Sequence, residues 1–481
     1  MMTRHKTVFK SLATITLVSL TLLFLPLRGI AWAATEPTPP DTGDTAFMLI
    51  SAALVLLMTP GLAFFYGGFV RGRNILNTMM MSFLLMALVG VTWVIWGYSL
   101  SFSPGTSFIG GLQWLFLNGV GTDTASYLPH MPYEDALKAA DPAYADLGSY
   151  AATVPHQAFM IYQAMFAIIT PALISGAIVE RISFKAYFWF IFLWSGLLYP
   201  VFAHMVWAKG GLLGLYGGMG ALDFAGGTVV HISSGVSALV AAWVIGPRKT
   251  FPNQLKPPHN VPFILLGAGL LWFGWFGFNG GSALASGSLS TLAFVNTNTS
   301  AAAAALMWII LEWVLKGKPT AVGIATGAVA GLVGITPAAG FVTILGALLM
   351  GAITATCCFF AISLKAKLQF DDSLDTFPVH GVGGTVGAIL TGIFATKLVN
   401  PYGGNGLLFG ETGQLFVGNA PGQVVTQLLA TVLTYLIAGV GTFVILKVLD
   451  LTIGLRVKPE QEFQGLDINE HGEEGYNDLV G

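Results

Sequence analysis

Charge is what this sequence has least of. Asp, Glu, Lys and Arg make up 9% of its 481 residues, where soluble domains carry about 25%. So few charges cannot cover the surface of a soluble enzyme of this length. The formal net charge is −2, which excludes the basic face that nucleic-acid binding requires. Cysteine is nearly absent too. Cys357 and Cys358 are the two present, and they are neighbours. Adjacent cysteines rarely close a disulfide, and two thiols do not complete a metal set. They read as small apolar filler. Neither a cofactor nor a metal is expected, and no enzymatic activity.

What is abundant is apolar. Hydrophobic residues make up 54% of the chain, and there are 60 glycines, which suits helices packed backbone to backbone in lipid. The chain reads as an all-α polytopic membrane protein. At its start, Arg4, Lys6 and Lys10 precede the apolar run 11–27, and Ala31-Trp32-Ala33 supplies a small-x-small cleavage site. Residues 1–33 read as a cleaved signal peptide, with an uncleaved first helix as the alternative. Residues 34–450 form the transmembrane domain, and 451–481 a charged cytoplasmic tail.

Eleven stretches after residue 40 are long enough to cross about 30 Å of hydrocarbon. They lie near 46–69, 75–101, 157–179, 184–204, 226–245, 261–280, 292–315, 320–336, 341–364, 378–396 and 421–448. With the mature N-terminus outside, fourteen Lys and Arg of the loops and tail fall inside. Three, Lys138, Lys209 and Lys397, fall outside. That asymmetry supports an odd number of spans in the plasma membrane, with the C-terminus cytoplasmic.

Two segments resemble one another. LDFAGGTVVHISSGVSAL (222–239) and LDTFPVHGVGGTVGAIL (374–390) both open on Leu-Asp, and each has a histidine followed four residues later by glycine, Gly235 and Gly384. Five spans separate them, so the copies run in opposite directions. That is an inverted repeat of five helices, with the eleventh outside it, and such repeats place the transport path at their interface. A second pattern, Gly323, Gly327 and Gly331, puts small residues on one helix face for close packing.

Few polar groups lie within the spans. His231 and His380 are the deepest, and intramembrane ionisable groups mark pathways and relays. A lone histidine would more often be a bonded core residue; two at matching repeat positions read as a pair on one axis. Asp223 and Asp375 precede them as candidate helix caps. Glu180 and Glu312 read as interfacial charges partnered by nearby Arg181 and Lys316. The aromatic, glycine-rich run 270–283 and Trp207 could capture a small cation bearing N–H groups, since indole faces attract cations. A haem oxidoreductase would need more facing histidine pairs than His231 and His380 supply.

The motifs GLAFFYGGFVRGRN (61–74), ALDFAGGTVVH (221–231), WFGFNGGS (275–282), AFVNT (293–297) and DTFPVHGVGG (375–384), with the tail motif LRVKPEQEFQGLD (455–467), resemble the ammonium transporter (Amt/Mep/Rh) family. The resemblance implies eleven helices around a narrow pore in each subunit of a homotrimer. It implies uptake of ammonium or ammonia, with methylammonium as analogue. Trp207 and Ser282 would recruit substrate, supported by Asp223. Phe166 and Phe278 would stack below as a gate. His231 and His380 would be twin pore histidines, with Trp275 beside them. Tyr162 stands where many members have Phe, altering the outer vestibule. Gly475 stands where Ala is more usual in the tail. A PII-type signal protein would plug the inner mouth. The tail would dock on the inner loops, with Arg71, Arg73, Arg181 and Lys185 facing Glu460, Glu462, Asp467 and Glu470, and with Phe463 and Leu466 adding apolar contact. The alternative within the same fold is an ammonium sensor that signals through its tail.

Overall fold

The computed structural model describes residues 40–122, 150–215, 217–254, 256–409 and 422–476, all within one unit, Pro39–Gly481. The predicted signal segment 1–33, Lys138 and the end of the tail lie outside the described residues. Ten helices are long and apolar enough to span a bilayer. They are α1 (Thr42–Phe69), α2 (Gly72–Phe102), α3 (His156–Ser175), α4 (Phe184–Trp207), α5 (Gly227–Ile245), α6 (Val261–Ala283), α7 (Ser288–Lys316), α9 (Ile344–Lys367), α10 (Phe377–Phe394) and α11 (Gly422–Thr452). A shorter apolar helix, α8 (Ala321–Ile335), takes the place of the predicted short span. A final short helix, α12 (Pro459–Gln464), lies in the tail. Among the described residues there are no β-strands beyond two isolated bridges.

Burial is inverted relative to a soluble protein. Val314, Leu345 and Val440 are more than 60% exposed, as a lipid-facing surface requires. Buried hydroxyls bond back to their own helices, as Ser233 does to the Val229 carbonyl and Thr297 to that of Ala293, since lipid offers no water to satisfy them. The glycine stripe packs α8 on α7: a Cβ on Gly327 would meet Trp308, and one on Gly331 would meet Ala304. Both cysteines are free, and Cys358 is buried.

The repeat extends beyond the two histidine segments. α3 and α8 each end in a run of turns, after which Ser183 and Thr343 cap the next helix by accepting from the N–H groups of Ala186 and Gly346. Seven residues before each histidine, a backbone N–H reaches the turn of the other half. Phe224 donates to Pro337 O (3.0 Å) and Ser373 to Ala177 O (3.4 Å). Each acceptor lies two residues past its helix.

Three sequence readings are corrected. The third span leaves helical geometry at Ser175 instead of continuing to 179, because the buried Arg181 folds back onto the carbonyls of Ala177 and Val179. Glu180 does not pair with Arg181; it accepts from Arg71 (2.8 Å) and Arg248 (2.7 Å) and is buried. Glu312 does pair with Lys316, at 3.5 Å. Asp375 does not cap α10. Its backbone is left-handed (φ 58°) and its carboxylate pairs with Lys365, while Asp372 accepts from the N–H groups of Thr376 and Phe377.

The tail docks, but not on the expected arginines. Arg71 and Arg181 are engaged elsewhere, and Asp467 and Glu470 instead take N–H groups at helix starts. Asp467 accepts from Leu76 (3.1 Å) and Asn77 (2.8 Å), and Glu470 from Phe184 (2.8 Å). Glu462 binds Arg456 and the N–H of Lys249. Leu466 is fully buried, whereas Phe463 is 49% exposed.

Candidate functional site

Each histidine sits in a single π-helical turn that opens its helix, Gly227–Ile232 for α5 and Phe377–Val382 for α10. Such turns redirect a side chain within an otherwise regular helix. A carboxylate anchors each turn. Asp223 accepts from four consecutive N–H groups, Gly226 to Val229, and from the Thr228 hydroxyl. Its charge is spent on the helix start. Glycine then lets the two helices touch. A Cβ on Gly235 would lie 2.2 Å from Gly381 N, and one on Gly384 would lie 3.0 Å from His231 Cβ.

This crossing sets the two imidazoles edge to edge. Their Nδ1 atoms are 3.2 Å apart and the rings are inclined by 20°. A bond between two Nδ1 atoms needs one protonated and one bare nitrogen. His231 Nε2 is buried and has no partner among the described residues. It faces a narrow cavity whose other walls include Leu62, Phe65, Ile169, Leu173 and Val230, with His380, Trp275 and Phe278 also lining it. The wall is apolar except for the histidine pair and the Trp275 indole, whose Nε1 donates to Thr336 Oγ1 at 2.9 Å.

Aromatics continue from the pair toward Trp207. Trp275 and Phe278 stack near His231, at centroid distances of 5.4 and 6.1 Å. Phe166 meets Phe278 at 4.4 Å, and both are buried. Trp207 meets the other side of Phe166 at 5.6 Å. Trp207 and Ser282 are half-buried. The Trp207 Nε1 donates to the Asp223 carbonyl at 3.0 Å. Ser282 Oγ donates to Phe278 O at 2.9 Å, which leaves its lone pairs free to accept. The Tyr162 hydroxyl lies 2.8 Å from Phe278 O and 3.2 Å from Ser282 Oγ. A second cavity beside His380 is lined by Tyr66, Thr326, Asp375 and Thr376. No group of three or more potential metal ligands occurs among the described residues.

The sequence profile of the Ammonium Transporter Family matches residues 46–476. The chain belongs to the ammonium transporter family. It is 47% identical over 439 residues to the ammonium transporter of Bacillus subtilis, covering 91% of this chain and 99% of that protein. It is 42% identical over 435 residues to the ammonium transporter Amt1 of Archaeoglobus fulgidus, covering 90% and 99%. Among solved structures it resembles Candida albicans Mep2, with a TM-score of 0.75 and 33% identity over 88% of each chain. It also resembles a protein described as Sensor Amt Protein, with a TM-score of 0.74, 28% identity, and coverage of 89% and 98%. The Bacillus subtilis and Archaeoglobus fulgidus relatives are ammonium transporters by name, and membership makes this chain a transporter-family protein and not an enzyme.

The nine residues that the resemblance implied for the site are joined by contacts, from His380 and His231 through Trp275, Phe278 and Phe166 to Tyr162, Ser282, Trp207 and the Asp223 carbonyl. Others were not visible beforehand. Thr336 holds the Trp275 indole from the far end of α8, and Asp372 anchors the second histidine turn in place of Asp375. Neither carried a sequence signal beyond being polar near a span end.

Proposed function

We propose that the chain takes up ammonium or ammonia across the plasma membrane as a multi-pass protein with its mature N-terminus outside. Substrate is recruited at Trp207 and Ser282, passes Phe166 and Phe278, loses its proton, and crosses an apolar pore lined by His231 and His380. The observation that carries this reading is the 3.2 Å imidazole pair in an otherwise apolar cavity beneath an aromatic stack.

The chemistry follows from what distinguishes ammonium from potassium. The two share charge and approximate size, but ammonium donates directional hydrogen bonds and can give up a proton. An acceptor hydroxyl beside aromatic faces rewards the first property. A dry pore rewards the second, because burying a bare charge costs far more than burying a neutral amine. Paired imidazoles accept from one neighbour and donate to the next. That suits passage of a neutral amine or relay of a proton, and the electrogenicity of uptake separates the two.

The test is uptake of radiolabelled methylammonium into proteoliposomes; absence of uptake by the intact protein would refute transport. Within that assay, Trp207→Leu and Ser282→Ala should each raise the half-saturation concentration by about fivefold and leave maximal flux nearly unchanged, since a lost cation–π contact or acceptor is a binding effect of about 1 kcal/mol. An unaltered half-saturation in both variants removes the recruitment site. Likeness to the Sensor Amt Protein supports the second reading, in which ligand occupancy is reported through the tail; binding without uptake would favour it.

The tail is read as a regulator in a homotrimer, coupling neighbouring subunits and a PII-type protein to the inner mouth. Its carboxylates complete the starts of α2 and α4. Deleting 459–481 should lower or deregulate uptake while trimers still form, as the spans supply the apolar packing. Full uptake by the truncated protein that still responds to the PII protein would make the tail dispensable.

A further inference from the structure

The eleventh helix lies outside the repeat, yet one of its side chains reaches the middle of the molecule. Gln427, in the second turn of α11, is 1% exposed. Its Oε1 accepts from Leu222 N at 2.7 Å, and its Nε2 donates to Leu222 O at 2.8 Å and to Ala388 O at 3.2 Å. One carboxamide thus satisfies both backbone groups of a single buried residue in a non-helical segment, where no regular partner exists. Gln423, one turn earlier, donates to Gly220 O at 3.0 Å and lies 3.4 Å from Gln427 Oε1, which fixes which way the amide faces.

The residue so held is the one before Asp223. The Leu222 carbonyl belongs to the peptide plane that leads into Asp223, whose own carbonyl receives the Trp207 indole N–H. We infer that Gln427 is a positioning residue for the outer cation site: it orients the Leu222–Asp223 peptide and through it the Trp207 ring. Its third bond, to Ala388, ties that orientation to α10, two turns beyond His380. The inference rests on the recruitment-site reading. Neighbouring backbone groups have their own partners, Ala221 N on Leu213 O and Phe224 N on Pro337 O. Loss of Gln427 therefore loosens one peptide and leaves the segment folded.

The experiment compares half-saturation and maximal rate of methylammonium uptake in proteoliposomes for the full chain and for Q427L, Q423L, W207L and the W207L/Q427L double variant. Q427L should raise half-saturation by about fivefold with maximal rate within about twofold, and Q423L should shift it less in the same direction. The double variant should match W207L alone, because both act through one ring. A purely structural role would instead lower the amount of active protein and its maximal rate at constant half-saturation. A half-saturation unchanged in Q427L but raised in W207L overturns the inference and leaves the recruitment site standing. Shifts that multiply in the double variant also overturn it. An unchanged W207L refutes the recruitment site itself, and the inference with it. Should Q427L fail to assemble, an unchanged half-saturation in Q423L overturns the inference.

Discussion

Replacing His231 and His380 together by alanine should cut ammonium uptake by about thirtyfold or more. Both imidazoles are buried, and the cavity between Phe278 and the inner vestibule otherwise presents aliphatic and aromatic walls. A neutral amine that enters such a wall with no hydrogen-bond partner pays roughly 2–7 kcal/mol, and the lower end already corresponds to that loss. If the vacated space fills with water, the barrier to bare cations falls and potassium competes. Uptake of labelled methylammonium together with potassium flux in the same vesicles distinguishes the two outcomes. Normal ammonium flux with unaltered ion selectivity in the double variant would show that the pair is not the polar footing of the path. The single variants separate the partners. His380→Ala leaves His231 with neither ring nitrogen bonded, because its Nε2 already has no partner among the described residues.

A second large effect is expected away from the histidine pair, just past the C-terminal ends of α3 and α5. Glu180 lies in a turn after α3, outside the spans, and is 3% exposed. Burial alone would raise its pKa; the guanidiniums of Arg248 and Arg71 outweigh burial and hold it down to about 2. Arg248 also grips Asp371 at 2.7 Å, and Arg71 offers its backbone N–H as well. Glu180→Ala leaves two partly buried cations short of a partner and should destabilise the protein by about 3 kcal/mol, read as a lower midpoint of thermal unfolding in detergent. Because the folded carboxyl is more acidic than the unfolded one, its contribution is present above pH 4.5 and is lost as pH falls from there through about 2. Glu180→Gln should therefore flatten the acid limb of the stability curve. A midpoint within a degree of the parent for both variants would show that the network contributes nothing.

The positions of the helices were legible because hydrophobic runs and flanking charges are imposed by the bilayer itself, and each predicted stretch after residue 40 overlaps an observed helix, the eighth being shorter than a full span. The histidine pair was legible because an imidazole is conspicuous in an apolar run and the repeat supplied its mate. The anchors of that pair were less visible. LDF and LDT look alike, yet Asp223 caps its turn while Asp375 turns away to Lys365, and Asp372, three residues earlier, takes the role. Sequence spacing could not separate the two, since neither the left-handed backbone at Asp375 nor its pairing with Lys365 at the end of α9 is marked in the motif. The tail was read as opposite charges meeting. It meets helix starts instead, because peptide N–H groups leave no trace in a list of side chains. Gln427 was invisible for the same reason: its partners are the backbone atoms of Leu222 and Ala388.

The glycine crossing of α5 and α10 bears on how the molecule can work at all. A carrier that alternates access rocks one half against the other, and this needs a plane along which the halves can slide. Here the two backbones touch where a slip would be required. Gly235 abuts the Gly381 backbone, Gly384 abuts His231, and the turns past α3 and α8 are each bonded across to the opposite half. The halves are interlocked at the depth of the histidine pair. On the proposed reading, selection would then be made by a fixed passage, with motion confined to side chains such as Phe166 and Phe278.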